Sequence, residues 1–319
     1  MAESESGEKL EMRDAFGAAL VELGRAYPQV LVLDADLNTS SKTVSFKKAF
    51  PDRFIQVGIA EQNLFGVAAG LALEGFIPFP STFAVFAARR GLDQIAISIC
   101  YPRLNVKIPG SYAGLPTSRA GASHICIEDI AVMRSLPNMR VVDPGDNAEL
   151  RSVMRLAVET DGPVYFRVTR LTLPRLFDRD YIFQWGKGDI LRPGSDVTLF
   201  GTGMMSSLCL RAADKLAAAS IRAEVVHMAS IKPIDRDLIL DSVSRTGCAV
   251  TAENATILGG FGSAVAEVIS ETCPVPLRRI GVHDRWVDSG GIEELFTFHH
   301  MQPADIVAAA REVIVCKNG

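Results

Sequence analysis

The chain lacks a long hydrophobic run, a paired-cysteine motif and an excess of basic charge. Its longest apolar stretch, residues 64–73, is about half of the roughly 20 residues that a membrane helix needs. The six cysteines are widely spaced without a Cys-x-x-Cys pattern, which predicts reduced, buried thiols rather than disulfides or zinc ligands. A net charge of −4 with scattered Lys and Arg excludes the basic footprint of nucleic-acid binding. The acidic, polar start does not resemble a signal peptide, so we expect a cytoplasmic location.

The chain is long enough for two globular domains. It has 319 residues, 48% of them hydrophobic, and short β-rich runs alternate with longer Ala/Leu-rich runs, which is typical of parallel sheets with crossover helices. We therefore predict an α/β fold in which a doubly wound parallel-sheet domain is followed by a smaller α/β domain. The predicted parts are a disordered tail (1–9), a first domain (10–175), a linker (176–194) and a second domain (195–319).

The predicted strands follow from the same alternation. In the first domain they are 30–33, 54–57, 105–108, 140–142 and 164–168; in the second they are 197–201, 223–227, 249–253 and 277–281.

One carboxylate stands out in the first domain. Glu61 follows the second predicted strand and opens an apolar run that predicts a core helix. Phe86 comes 25 positions later. A largely dry carboxyl group and a flat apolar ring suit an aminopyrimidine, which needs a partner for a ring nitrogen and a surface to stack on.

Motifs in both domains, taken in order, resemble the C-terminal half of transketolases over nearly the whole chain. They are Gly58-Ile59-Ala60-Glu61-Gln62-Asn63, Ser81-Thr82-Phe83, Asp93-Gln94, Gly121-Ala122-Ser123-His124, Leu136-Pro137-Asn138-Met139, residues 163–170, Lys232-Pro233-Ile234-Asp235, Glu253-Asn254, Gly259-Gly260-Phe261-Gly262-Ser263-Ala264 and Asp284-Arg285-Trp286. The same pair of domains occurs in deoxyxylulose-phosphate synthase and in the β chain of 2-oxo-acid dehydrogenase E1 components.

The resemblance implies a pyrimidine-binding domain and a transketolase C-terminal domain in a thiamine-diphosphate enzyme. It implies that Glu61 is catalytic and hydrogen-bonds N1′ of the aminopyrimidine, favouring the tautomer that activates the cofactor. Phe86 matches the aromatic residue that stacks on the pyrimidine, with Phe83 beside it. Asp36 resembles a family aspartate near the cofactor.

The resemblance also implies substrate contacts. His124 matches a catalytic histidine that handles substrate protons, a task that suits imidazole at neutral pH. Ser40 and Arg170 match groups that hold the anionic tail of a sugar phosphate. Tyr112 stands where transketolases carry a histidine and Ala120 where they carry an aspartate, which puts the usual donors in doubt. Together with Arg170, two further residues remain candidates to hold a phosphate or a sulfonate: Ser118 and Arg119.

Each of these residues also has a structural interpretation. Glu61 at the start of a helix can act as a dipole or capping partner, and Phe83 and Phe86 can be core residues. His124 can be an ordinary loop residue. Asp36 and Ser40 can cap the next helix, and Arg170 can form an ordinary salt bridge.

The chain lacks the Gly-Asp-Gly frame with a following Asn that binds the diphosphate through Mg²⁺ in such enzymes. We therefore expect no metal site in this chain and a partner subunit, similar to the N-terminal half of transketolase, that holds both groups in a homodimer or α2β2 heterotetramer. The predicted function is transfer of a two-carbon ketol unit between an anionic ketose and an aldose. The alternatives are the β subunit of a 2-oxo-acid dehydrogenase and a non-catalytic partner subunit.

Overall fold

The computed structural model describes residues 10–318, so the predicted tail 1–9 lies outside the described residues. The strands are β1 Val30–Asp34, β2 Phe54–Gln56, β3 Ile77–Phe83, β4 Lys107–Ser111, β5 Arg140–Val142, β6 Val164–Val168, β7 Asp189–Arg192, β8 Val197–Gly201, β9 Ala223–His227, β10 Ser230–Lys232, β11 Ala249–Thr256 and β12 Leu277–Val282.

The α-helices alternate with these strands. They are α1 Met12–Ala26, α2 Asn38–Ser41, α3 Val44–Ala49, α4 Glu61–Leu73, α5 Ala84–Arg89, α6 Asp129–Ser135, α7 Asn147–Glu159, α8 Met205–Ala217, α9 Arg236–Thr246, α10 Phe261–Thr272, α11 Ile292–Phe298 and α12 Pro303–Asn318. Short 3₁₀ segments lie at Pro51–Arg53 and Leu115–Ala120, and a π-helix runs over Gln94–Cys100.

The first sheet has the strand order β10-β5-β6-β4-β3-β1-β2. Its pairs are parallel except the one at the β10 edge, where β10 adds antiparallel to β5. Since β10 follows β9 in the chain, the second half of the sequence completes the edge of the first sheet. The second sheet has the order β12-β11-β8-β9-β7, and only its edge strand β7 is antiparallel.

Alternate residues of each strand in the first sheet face two different cores. Val32 and Phe166 pack with α1 and α7 in one cluster, while Leu33 and Tyr165 pack with α4 and α5 in another. This alternation follows from the pleat of a strand. Helices therefore cover both faces of the sheet, as in a doubly wound fold.

Strand β3 is missing from the sequence-based prediction because two prolines signal a turn rather than a strand. In the structure the strand pairs with β1, and Ile77 donates its N–H on that side to Gln29. Pro78 and Pro80 therefore lie where their missing N–H groups would face β4, and pairing with β4 is confined to Thr82 and Phe83.

The two sheets, one mostly parallel with seven strands and one with five, confirm the predicted α/β fold class. The predicted domain boundaries stay a prediction; β7 lies inside the predicted linker 176–194 and pairs with β9 of the second sheet. Within residues 10–318, no helix is both long enough and apolar enough to cross a membrane.

Candidate functional site

The candidate residues lie at the carboxyl ends of neighbouring strands of the first sheet. Asp36 follows β1, Glu61 follows β2, Phe86 follows β3, Tyr112 follows β4 and Arg170 follows β6. From β1 the chain continues outward to β2 and then returns to β3 on the other side of β1, so the strand order reverses between β1 and β3. Open α/β sheets bind ligands in the crevice at such a point. The topology thus brings together residues that are far apart in the sequence.

Glu61 is the first residue of α4 and only 5% exposed. Its Oε1 accepts a hydrogen bond of 2.9 Å from Nη1 of Arg90. The guanidinium carbon of Arg90 lies 4.2 Å from the centroid of the Phe86 ring. A buried carboxylate and an aromatic face therefore hold one flat, hydrogen-bond-donating cation between them, and the glutamate is not used as a helix cap in this arrangement.

Three near-parallel aromatic rings are stacked in a row beside this pair: Phe86, Phe83 and Tyr112. We call this stack the aromatic shelf. The Phe86 and Phe83 centroids are 5.7 Å apart with 21° between the ring planes, and those of Phe83 and Tyr112 are 4.3 Å apart with 27°. His124 meets the shelf edge-on, 5.5 Å from Phe86. The imidazole therefore lies beside the ring on which a heterocycle would stack.

The far end of the shelf carries two arginines. Nη1 of Arg13 donates to the Tyr112 hydroxyl at 2.6 Å and to the Ser40 carbonyl at 3.4 Å. The guanidinium carbon of Arg170 lies 5.4 Å from the Tyr112 centroid. The start of α1 is fixed here because the Met12 N–H donates to the carbonyl of Leu171. Two guanidiniums thus lie beside one phenol, and Arg13 also pairs through Nε with the Glu11 carboxylate; a guanidinium is a group that favours oxyanions.

The structure does not bring all the predicted residues into this cluster. Arg119 is exposed, and its backbone carbonyl accepts from the Ser289 hydroxyl. Asp36 has a positive φ of 64°, and its N–H donates to Gln56. The capping carboxylate of this loop is instead the buried Asp34, which accepts from the Leu37 N–H and from Thr43. Burial raises the pKa of Asp34.

Arg13 and Arg90 are site residues that the sequence reasoning missed. Arg13 lies in the first turn of a helix and Arg90 in a surface-like Arg-Arg pair, so each resembles an ordinary solvated charge. Their partners are 99 and 29 residues away in the sequence. The one available signal was the position of Arg90, four residues after Phe86; Arg13 precedes the first strand and offered no such signal.

These side chains fit the aminopyrimidine of thiamine diphosphate. The Arg90 guanidinium already shows that a flat donor can cover Phe86 and reach Glu61 at the same time. No group of three or more His, Cys, Asp or Glu side chains in residues 10–318 is placed to hold a metal ion.

Comparison with known proteins gives two family matches that divide the chain. The family model described as "Transketolase, pyrimidine binding domain" matches residues 8–175, and "Transketolase, C-terminal domain" matches residues 186–306.

Individual relatives match over nearly their full length. The "6-deoxy-6-sulfo-D-fructose transketolase subunit SqwH" of Clostridium sp. (strain MSTE9) is 42% identical, covering 96% of this chain and 95% of that one. A subunit of the apulose-4-phosphate transketolase of Phocaeicola vulgatus is 35% identical over 95% and 97% of the two chains. A solved structure described as "Split gene transketolase, inactive beta4 tetramer" has 49% identity, a TM-score of 0.91 and coverage of 97% and 99%. The chain belongs to the transketolase family and corresponds to the subunit that carries its pyrimidine-binding and C-terminal domains.

Proposed function

We propose that this chain is the C-terminal subunit of a two-chain transketolase that moves a two-carbon ketol unit between an anionic ketose and an aldose. The observation that carries the proposal is the single row formed by Glu61, the aromatic shelf and the Arg13–Arg170 pair at the switch point of the first sheet. One end of the row suits the cofactor's pyrimidine and the other suits a substrate anion.

Thiamine diphosphate, when bound, supplies the nucleophilic carbon of the reaction. The residues of this chain bind the cofactor and orient it. Glu61 exchanges a proton with a ring nitrogen, Phe86 and Phe83 exclude water from the ring face, and His124 gives or takes a proton at the substrate oxygen. His124 contacts both Phe83 and Phe86 edge-on. An ordinary loop histidine and ordinary core phenylalanines do not account for that arrangement.

The anionic end group is a sulfonate or a phosphate. One relative is named for the sulfonated sugar 6-deoxy-6-sulfo-D-fructose, and another is named for the sugar phosphate apulose-4-phosphate. Arg13 and Arg170 offer planar forks of N–H donors that either oxyanion accepts. We assign Ser40 and Tyr112 to the same end because Arg13 contacts both. The exposed Arg119 and Asp36 are proposed to reach ligand only in the assembled enzyme.

A partner chain is needed for the remaining groups. Helix α4 exposes an apolar face with Gly66, Gly70 and Leu73. Ile97 in the adjoining π-helix and Tyr101 just after it are also exposed. Leu73 is 71% and Tyr101 81% exposed, so this face needs cover in an assembly. We propose that a second polypeptide covers it and holds the diphosphate and Mg²⁺, in an α2β2 arrangement in the cytoplasm. The description of the related β4 tetramer as inactive supports that requirement.

The test is ketol transfer by this chain with its partner, thiamine diphosphate and Mg²⁺. Glu61→Gln is expected to assemble and bind substrate normally while lowering kcat by about 100-fold or more. Glu74→Gln, an exposed change just beyond the other end of α4, is the matched control. Near-normal turnover of Glu61→Gln contradicts the proposal.

The same assay separates the alternatives. Acetylation of a lipoyl domain instead of ketol transfer would identify a 2-oxo-acid dehydrogenase β chain. Turnover with neither acceptor would favour a non-catalytic partner.

A further inference from the structure

Arg90 lies where the aminopyrimidine of the proposed function must lie. It makes two contacts, a 2.9 Å hydrogen bond to Glu61 Oε1 and a guanidinium-to-ring distance of 4.2 Å to Phe86. These are the two groups that a flat heterocycle in this site would use. One carboxylate oxygen and one ring face cannot hold the guanidinium and the heterocycle at once, so Arg90 and the pyrimidine compete.

The pair with Arg90 satisfies the carboxylate before the cofactor binds. Glu61 is 5% exposed, and a buried carboxylate without a partner destabilises a protein by several kcal/mol in typical cases, roughly 3–5. The guanidinium also occupies Oε1 of this carboxylate. An oxygen held in this way is not free to bond a ring nitrogen.

Arg90 is able to leave. Its side chain is 52% exposed although its partner is buried, and a long side chain can carry its charged head into water while its stem stays packed. Arg89, the preceding residue, points elsewhere: it pairs with Glu128 and lies over Trp286.

The geometry points to Arg90 as a gate on the cofactor site, a side chain that holds Glu61 in place and must be displaced when thiamine diphosphate binds. This inference rests on the proposed function. Its consequence is that the apparent affinity for the cofactor is reduced by the fraction of molecules in which Arg90 is turned away.

Removing the gate therefore strengthens cofactor binding. In the complex of the full chain with its partner, Arg90→Met, which keeps the stem without the charge, and Arg90→Ala are both expected to lower the Kd for thiamine diphosphate by about 3- to 20-fold. The Kd is measured by calorimetric titration with Mg²⁺ present. Arg89→Ala is the matched control and leaves the Kd unchanged.

The isolated full-length chain gives an independent measurement. Arg90→Met is expected to lower the melting temperature because it leaves Glu61 unpaired, and adding Glu61→Gln is expected to restore part of the loss, so the two changes are not additive. Additive effects overturn the inference and leave the proposed function standing.

The cofactor titration distinguishes the two proposals. Unchanged or weaker binding by Arg90→Met, with normal binding by the wild-type complex, overturns the gate alone and assigns Arg90 to another role. A wild-type complex that binds no thiamine diphosphate overturns the proposed function, and the gate with it.

Discussion

At the scale of single residues, arginines lie over both ends of one aromatic layer. Arg90 covers Phe86 at the end near Glu61, while Arg13 and Arg170 flank Tyr112 at the other end. Guanidinium groups favour aromatic faces because the charge is delocalised and weakly hydrated. The shelf thus holds arginines with two different roles, since one is proposed to leave and two are proposed to stay with the substrate anion.

Tyr112 connects the shelf to the anion end, and its hydroxyl can be removed without its ring. Tyr112→Phe keeps the stacking on Phe83 but removes the acceptor of the 2.6 Å hydrogen bond from Arg13. We expect KM for the anionic substrate to rise about 5- to 20-fold with kcat nearly unchanged. The reason is that Arg13, proposed to bind the substrate anion equally in the ground state and the transition state, is no longer held in place by the Tyr112 hydroxyl. Steady-state kinetics of the two-chain enzyme measure both constants.

Tyr27 offers the matched control, since Tyr27→Phe removes a hydroxyl that bonds Glu159 at the end of α7, outside the site. A fall in kcat at constant KM would instead place the Tyr112 hydroxyl in the chemical step and contradict its assignment to binding.

At the scale of elements, helix α4 presents two different faces. Leu64, Phe65 and Ala68 are buried in the core, whereas Gly66 and Gly70 are exposed, and a Cβ atom added to either glycine would meet nothing within 4 Å. Glycine inside a helix costs about 0.5–1 kcal/mol relative to alanine. We expect the close approach of another protein surface, which two glycines on one apolar face permit, to offset this cost.

Gly66→Ala separates the stability of this chain from its association. The isolated chain is expected to gain about 0.5–1 kcal/mol in its free energy of unfolding, because alanine restricts the unfolded chain and favours the helix. Association with the partner is expected to weaken about 10-fold or more, because the added methyl group occupies the contact surface. Urea unfolding and sedimentation measure the two effects.

The helical Gly262 in α10 provides the contrast. A Cβ atom there would lie 2.6 Å from the Thr251 hydroxyl, so Gly262→Ala is expected to destabilise the isolated chain. If Gly66→Ala associates as tightly as the wild type, α4 is not the surface that the partner covers.

The sequence predicts regular elements well and irregular ones poorly. Buried strands such as β6 and β9 have largely apolar runs, and α7 has an amphipathic pattern opened by the capping Asp146. Strand β3 was missed because its prolines signal a turn. They are tolerated because they face a gap in the pairing with β4, which depends on which strand becomes the neighbour. Short edge strands β7 and β10 were missed because pairing with a remote strand alone defines them.

The candidate site follows the same division. Residues in recognisable motifs, such as Glu61, Phe86 and His124, could be chosen from the sequence, although their roles stay proposals. The contacts of Arg13 and Arg90 could not be predicted from the sequence, because no local pattern indicates that residues so far apart in the chain lie close together. Arg167 is a further example: the sequence shows it only as a charged residue in a strand, and the structure buries it in an ion pair with Asp129.

At the scale of the whole molecule, a buried polar network joins the two domains. Arg167 on β6 donates to both oxygens of Asp129 and to the carbonyl of Asn254 in the second domain. His227 at the end of β9 bonds Glu149 on α7 at 2.8 Å. The joint between the domains therefore contains charges that water does not screen.

Two carboxyl groups of this joint have raised pKa values. Burial raises the pKa of Asp143 to about 6, with the Arg167 charge acting against it and the Asp129 charge adding to it. Burial likewise raises the pKa of Glu253 to about 7, although its oxygens accept from the backbone N–H groups of Phe261 and Gly262. Both groups bind a proton more tightly in the folded chain than in the unfolded one.

His227 acts in the same direction. Burial alone would lower the pKa of His227, but the Glu149 carboxylate outweighs it and raises the pKa. A group with a raised pKa in the folded state adds stability that is complete below its unfolded pKa and is lost as the pH rises through the folded value. All three groups thus favour the folded chain at mildly acidic pH.

We therefore expect these three groups to lower the stability of the isolated chain as the pH rises, whereas burial lowers the pKa of Lys107 to about 7 and gives that group the opposite effect. For Glu253 alone, the difference between the ordinary value of 4.5 and about 7 corresponds to about 2–4 kcal/mol, lost mainly between about pH 5 and about pH 8. Urea unfolding at several pH values across that window measures the slope.

Glu253→Gln removes the titrating group, so it is expected to lower stability overall and to flatten the slope, whereas the exposed Glu267→Gln is expected to leave the slope unchanged. A slope that Glu253→Gln leaves unchanged would show that Glu253 is ionised in the folded chain across the window.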